Sequence, residues 1–448
     1  MRQVASIEEH SPLIKPSGRK LLQWMTDHPY APKFNFECGD HLCMEDWAWL
    51  VGFQCILQEG WKWPDAGPPD WVAEFTAHAL TQVPHYRRYG VSDFDSTPPL
   101  DKDTLRLEPT SLVPDDQDLD KMVVYDTSGT TGTKMWVPSA PIVSASYLPL
   151  LRQGLSLHGV QLEGGPDQVA ILQLGLQTST LTYPMVSSFL GQAGFAKLNL
   201  NPNEWKEPGH RAKFIDACKP QIINGNPLSF LELTRLGIEH RPKAMVSSAM
   251  TLLPGTRRYL EDFFGCPVFD MYSMTECMAI GLRREESEGH RILSHDLYVE
   301  VLDRQGRPLP HGQRGEVALT GGRNPFLRLL RYRTRDHARI EVRDGVPFLM
   351  NLEGRAPVEF QNSEGDRFNN IDVTHALAGL ALVQFSLHQN VDRSLRLTYR
   401  GDGVPEESIH QSLGPLFGQL PLQVEHVSHN TPDDREKWIQ YTTDIPQV

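Results

Sequence analysis

VAILQL at 169–174, AKLNL at 196–200, QIING at 221–225, AMVSSA at 244–249 and PVFDMY at 267–272 are short apolar runs whose starts recur every 23 to 27 residues. Runs this short and this rich in Val, Ile, Leu and Phe read as strands, and the segments between them carry helical periodicity. The spacing suits a strand, loop, helix, loop unit. Such alternation predicts a parallel sheet flanked by helices, with ligands bound beyond the carboxyl ends of its strands.

Working outward, the texture changes on both sides. The first hundred residues are rich in tryptophan, with Trp24, Trp47, Trp49, Trp61 and Trp63 among helical-looking stretches and joints such as WPDAGPPDW. Residues 1–110 read as a helical lead-in packed on something larger. After Tyr272, LYVEVLDRQGRPLP and RGEVALTGG alternate apolar and polar residues around Gly and Pro turns, which predicts a β-rich appendage of antiparallel hairpins. Beyond Gly354 the order is ALVQFSLHQN, SLRLTYRGDG, the helix-like EESIHQSLGPLFGQL, then LQVEHV. That order of strand, strand, helix, strand describes a small α+β domain. The expected organisation is α/β: a large N-terminal domain over 1–353, a C-terminal domain over 354–448, and a hinge near 354–358.

The chain has 448 residues, 40% hydrophobic and 22% charged, a composition that folds around a large core. Its 43 basic and 56 acidic residues leave a formal charge of −13, which argues against nucleic acid or acidic membranes as partners. Neither a run of about 18 apolar residues nor a leader pattern is evident, so a cytoplasmic location is expected. Six cysteines in this length make a disulfide framework improbable; Cys38, Cys43 and Cys55 match no tight metal-binding pair and read as small buried hydrophobes.

The string YDTSGTTGTK at 125–134 offers hydroxyls at Ser128, Thr130 and Thr131, while Gly129 and Gly132 let backbone N–H groups approach a ligand. This outlines a phosphate cradle, although composition alone equally describes a surface turn, and the Walker pattern does not fit. Two further strings follow in order. DMYSMTE at 270–276 sets an aromatic ring, a hydroxyl and a carboxylate after the fifth strand, and RYRTRD at 331–336 is followed by EGR at 353–355.

Together these strings resemble the core motifs of the acyl-adenylate-forming superfamily, most closely its phenylacetate-coenzyme A ligase branch, from about residue 120 onward. The resemblance implies an enzyme that activates a carboxylic acid with ATP to an acyl-AMP, releases pyrophosphate, and passes the acyl group to coenzyme A, a carrier-protein thiol or an amine. It implies that Thr127, Ser128, Gly129, Thr130, Thr131 and Gly132 hold the β and γ phosphates. Tyr272 would lie against adenine, Thr275 would contact the α-phosphate, and Glu276 would ligate Mg2+. Asp336 would accept from the ribose hydroxyls, Arg355 would reach the nucleotide from the hinge, and the C-terminal domain would be mobile. The catalytic lysine expected near the C-terminus is Lys437, the only lysine after Lys243. Fatty acyl-protein synthetases and a nucleotide-binding scaffold without turnover are the competing readings.

Four features depart from the family pattern. Lys134 is displaced by one residue, Met250 stands where relatives often have glutamate, and Arg335 stands where glycine is common, adding charge and bulk beside Asp336. Ala356 and Pro357 replace the usual hinge, and proline restricts the φ change a swivel requires. Trp136, Tyr183, Met185, Gly225 and Asn226, with Phe189, are the expected acid pocket, favouring an aromatic carboxylate over a medium-chain fatty acid.

Overall fold

The computed structural model describes residues 6–64, 67–127, 135–354, 358–427 and 438–446. Helices Pro16–Asp27, Met44–Glu59 and Trp71–Gln82 form the lead-in. A hairpin follows, of β1 (Val123–Thr127) and β2 (Met135–Ser139), with Thr127 opposite Met135. Next come β3 (Val169–Gly175), β4 (Tyr183–Ser187), β5 (Ala193–Asn199), β6 (Ile222–Gly225), β7 (Ala244–Ser248) and β8 (Val268–Met274). They are followed by β9 (Met278–Arg283), β10 (His290–Ile292), β11 (Leu297–Leu302), β12 (Arg314–Gly321), β13 (Leu329–Arg343) and β14 (Val346–Gly354).

Among the described residues, β3 to β14 form one 12-stranded sheet in the order β11-β12-β13-β14-β10-β9-β8-β7-β6-β3-β5-β4. The five expected strands are β3, β5, β6, β7 and β8, and they pair in parallel. The antiparallel strands predicted after Tyr272 join them edge to edge through β8 and β9, so the β-rich part continues the same sheet. The parallel strands are continuous apolar runs because both faces are covered. On one face Leu172, Leu198, Ile223 and Met245 pack against Phe214, Phe230 and Leu260. On the other, Ile171, Ile222, Val246 and Phe269 pack against Leu150 and Leu155 and against Phe53 and Leu57 of the lead-in. Burying each such Leu or Phe contributes about 1.5–3 kcal/mol. The lead-in is thus one wall of the core. Cys43 and Cys55 are exposed rather than buried, since the helix Met44–Glu59 turns Leu50, Phe53 and Leu57 inward instead.

Past Gly354 the strands belong to other sheets. β15 (Glu359–Gln361) pairs with β16 (Arg367–Asn369). β17 (Gln384–Gln389), β18 (Leu395–Arg400), β19 (Leu422–His426) and β20 (Tyr441–Thr443) form a four-stranded sheet in the order β19-β18-β17-β20. Helices Asn370–Leu377 and Glu406–Phe417 supply Val373, Leu377, Ile409 and Leu413 to its core.

This C-terminal unit docks on the large sheet's helices. Leu253 enters its core, and Thr256 Oγ1 donates to the Leu382 carbonyl at 2.6 Å. Gly255 N–H donates to the Ala378 carbonyl at 2.8 Å, and a Cβ at Gly255 would fall 2.3 Å from the Leu380 carbonyl oxygen. Met250, which departs from the family pattern, packs against Leu228, Leu231 and Val383, so an apolar side chain there serves the seam. Arg235 clasps Asp402 from the outside at 2.6 and 3.0 Å. Glu353 accepts from Arg314 at 2.9 Å and from Asn370 at 2.6 Å, and so links β14 to the first helix of the C-terminal unit.

Candidate active site at the carboxyl edge of the sheet

β8 leaves the parallel half of the sheet and turns back as β9 through Thr275, Glu276 and Cys277, with a register irregularity at Tyr272 and Ser273. Beneath this turn lies a buried ionic cluster. Arg283 donates to Asp270 Oδ2 through Nε at 3.0 Å and Nη2 at 2.8 Å, and His290 Nε2 stands 3.3 Å from the same oxygen. Burial alone would raise the Asp270 pKa, but the Arg283 charge and the His290 and Arg283 hydrogen bonds outweigh it and hold the carboxyl below its ordinary value. Burial lowers the pKa of His290, which favours the neutral ring.

Above the cluster, the Tyr272 hydroxyl donates to Asp336 Oδ2 at 2.7 Å. Burial, then the Asp336 charge, raise the Tyr272 pKa, so it remains a donor. Asp336 sits where β13 faces Gly354 of β14, and its backbone N–H donates to Thr334 Oγ1 at 3.1 Å. The residue before it, Arg335, has φ of 70°, which explains why glycine suits that position. Its side chain does not crowd Asp336 as expected. It reaches Asp101 at 3.1 Å and Asp103 at 2.7 Å, at the start of the helix Lys102–Leu107.

That helix brings a residue that motif reading missed. Lys102 Nζ lies 3.4 Å from Glu276 Oε1, which also accepts from the Tyr332 hydroxyl at 2.6 Å. Glu276 is 3% exposed. Both contacts fall on Oε1, and a carboxylate is the type of hard oxygen ligand that Mg2+ takes. Lys102 carried no signal of its own, because an isolated lysine in a short helix is usually a solvated one. Tyr332, the tyrosine of RYRTRD, is the second group on that oxygen.

The structure brings Tyr272, Asp336 and Glu276 to one edge, with Thr275 half-buried in the turn between them. Thr127 and Met135 are the hairpin ends flanking the glycine-rich stretch; Ser128, Gly129, Thr130, Thr131 and Gly132 lie outside the described residues, as do Arg355, Pro357 and Lys437. The expected acid-pocket residues fall on several elements. Trp136 on β2 is 60% exposed. Tyr183 and Met185 lie on β4, an antiparallel edge strand rather than a loop, five strands from β8 in the sheet order. The Tyr183 ring stacks on Phe195 at 6.4 Å and meets the edge of Phe36 at 5.9 Å. Phe189 packs in the core beside Phe53. Gly225 ends β6, and Asn226 is the N-cap of the helix Pro227–Arg235. A Cβ at Gly225 would lie 2.5 Å from Ser229 Oγ, and Asn226 caps the helix by accepting from Ser229 N–H at 2.9 Å. That contact is structural.

The sequence pattern of the AMP-binding enzymes matches residues 73–325, more than half of the chain, and the protein belongs to that family. Within it, the chain is similar to phenylacetate-coenzyme A ligases. It is 32% identical to that of Escherichia coli (strain K12) over 292 residues, 59% of this chain and 64% of that protein. It is 32% identical to that of Pseudomonas putida over 141 residues, 29% of this chain and 32% of that protein. The chain thus spans about a third of the Pseudomonas protein in that match. In fold it is similar to 2-hydroxyisobutyryl-CoA ligase in the postadenylation state, with TM-score 0.60 and 16% identity over 84% of this chain and 88% of that one. An open conformation of the same ligase gives TM-score 0.52 and 17% identity over 81% and 86%. Among the described residues no helix is long and apolar enough to cross a membrane.

Proposed function

We propose that the protein is an ATP-dependent, AMP-forming ligase that activates a small carboxylic acid and transfers the acyl group to a second nucleophile. The observation that carries this reading is the convergence, on one sheet edge, of the Tyr272 to Asp336 bond with the buried Glu276 that faces Lys102. Bringing a carboxylate onto the α-phosphate of ATP opposes two anions, so the site must supply fixed donors and cations. In this reading Asp336, oriented by Tyr272, accepts from the ribose hydroxyls. Thr275 donates to the α-phosphate, the stretch from Thr127 to Gly132 surrounds the β and γ phosphates, and Arg355 reaches the nucleotide. Glu276 holds Mg2+, which when bound would neutralise charge on the phosphates. Lys102 adds a cation beside it, and Lys437 is the catalytic cation brought by the C-terminal unit, the second domain of this reading.

The acid is proposed to be aromatic, with a medium-chain fatty acid as the alternative. Coenzyme A as acceptor is supported by the names of the relatives. The Ala356-Pro357 pair favours instead a C-terminal unit that turns little, and hence a carrier thiol or an amine. Pyrophosphate exchange with a panel of aryl and alkyl carboxylates tests the first step. Exchange with at least one acid is expected, and ATP binding without exchange for any acid would leave the scaffold reading in its place. Product analysis with coenzyme A, pantetheine and hydroxylamine then identifies the acceptor; efficient coenzyme A thioester turnover would refute the restricted-turn reading.

A further inference from the structure

RYRTRD at 331–336 contains three arginines to which the ligase reading gives no role. All three lie on β13, and together they bind one stretch of the lead-in. Arg331 Nη1 donates to the Thr97 carbonyl at 3.1 Å, and the Arg333 backbone N–H donates to the Leu100 carbonyl at 2.9 Å. Arg335 Nη2 completes the row on Asp101 and Asp103.

The three contacts are unequal. Arg331 is buried and is also held by Glu300 Oε2 at 3.3 Å and the Gly306 carbonyl at 3.0 Å, so it belongs to the core. The Arg333 contact is a backbone bond that any residue except proline could make. The Arg335 contact depends on its side chain. Its φ of 70° is one that a residue with a Cβ seldom adopts and glycine adopts freely. Glycine would satisfy the backbone there; what it lacks is the guanidinium.

The two acids that receive this guanidinium flank Lys102, whose Nζ lies 3.4 Å from Glu276 Oε1. Asp101 also caps the helix Lys102–Leu107 by accepting from Asp103 N–H at 2.8 Å. A helix of six residues is marginal by itself, so outside contacts fix its position. Leu100 and Leu105 are buried and anchor it on the core side. Two apolar anchors leave rotation about the line between them open, and the clasp on Asp101 and Asp103 closes it.

We propose that Arg335 is a positioning residue for the adenylation step, which sets the start of this helix so that Lys102 is held on Glu276. What Lys102 does there rests on the ligase reading, whereas how it is held does not. A cation lowers a barrier most when it is fixed in place beforehand. Arg335 and both acids are partly exposed, so the clasp has a modest effect, about threefold to fivefold in either readout below.

The test compares the full chain with Arg335→Gly and with Arg335→Asn, which also tolerates a positive φ and controls for the added freedom of glycine. Limiting acetic anhydride followed by mass spectrometry reads the exposure of Lys102, with Lys243, paired to Glu163 at 2.9 Å, as the internal reference. Acetylation of Lys102 relative to Lys243 should rise about threefold to fivefold in both variants, with the urea midpoint unchanged. Unchanged Lys102 reactivity would overturn the proposal, because Leu100 and Leu105 would then suffice. A lower urea midpoint with both lysines rising together would overturn it as well, since Arg335 would serve the fold in general. Turnover in pyrophosphate exchange should fall by a similar factor in either variant, and in a Lys102→Met background the Arg335 substitutions should add nothing. Additive losses would mean that Arg335 does not act through Lys102. A chain that exchanges pyrophosphate with no acid would sink the ligase reading, and the acetylation ratio would still decide whether Arg335 holds Lys102.

Discussion

The turn after β8 and the seam under the C-terminal unit are held by opposite chemistry. Around the turn, buried Asp270 is paired with Arg283 and His290, and buried Glu276 with Tyr332 and the partly exposed Lys102. Among the described residues the seam carries apolar contacts of Leu253 and Met250, bonds from Thr256 Oγ1 and Gly255 N–H to carbonyls, the Asn370 to Glu353 bond and a partly exposed ion pair, Arg235 with Asp402. Buried charges cannot be rearranged without leaving one unpaired, whereas an apolar contact with an outer ion pair separates at modest cost. The turn is therefore built for fixed geometry, and the seam is the more readily separated contact.

The comparison breaks first if the C-terminal side carries no chemistry. Lys437→Ala should lower pyrophosphate exchange by about a hundredfold to a thousandfold while ATP binding, measured by calorimetry, is retained. Unchanged exchange would remove the C-terminal unit from the reaction. On the fixed side, Asp270→Asn leaves Arg283 buried without its counter-charge and should destabilise the fold by about 3–5 kcal/mol in urea denaturation.

The same cluster predicts an acid-sensitive fold. The pKa of His290 is lowered by burial, so the unfolded chain takes up its proton first and stability declines as pH falls below the ordinary 6.5. The Asp270 pKa is lowered on balance, so its contribution is present above 3.8 and is lost as pH falls through its lower folded value. Denaturation midpoints measured from neutral pH downward should show both declines, and a flat profile between pH 7 and 5 would contradict the His290 assignment.

Smaller effects sharpen the contrast. Tyr272→Phe removes one hydrogen bond to Asp336 and should cost about 1 kcal/mol, seen as a rise of about fivefold in KM for ATP with little change in stability. Asp402→Ala, at the rim of the seam, should cost less than about 1 kcal/mol in the same denaturation assay, because both partners are a third or more exposed. If Asp402→Ala destabilised as much as Asp270→Asn, the seam would be as rigid as the turn.

Much of the fold was legible because its signals are local. The apolar runs at 169–174 and 267–272 became β3 and β8 within a few residues, since parallel strands covered on both faces must be apolar throughout. β4 escaped, because a five-residue edge strand with Pro184 in it resembles a loop in sequence. The antiparallel texture after Tyr272 was read correctly, but texture does not state which edge it joins.

Of the site, the sequence by itself determined the motif residues Tyr272, Thr275, Glu276 and Asp336 and their order, because side-chain chemistry and spacing along the chain are printed in it. Only the tertiary structure decided that Lys102 faces Glu276, that Arg335 turns away from Asp336 to clasp the helix carrying Lys102, and that Arg283 and His290 share Asp270. Contacts between distant segments are set by how helices and strands pack. An isolated lysine or tryptophan looks the same in sequence whether packing leaves it in solvent or aims it at a buried carboxylate.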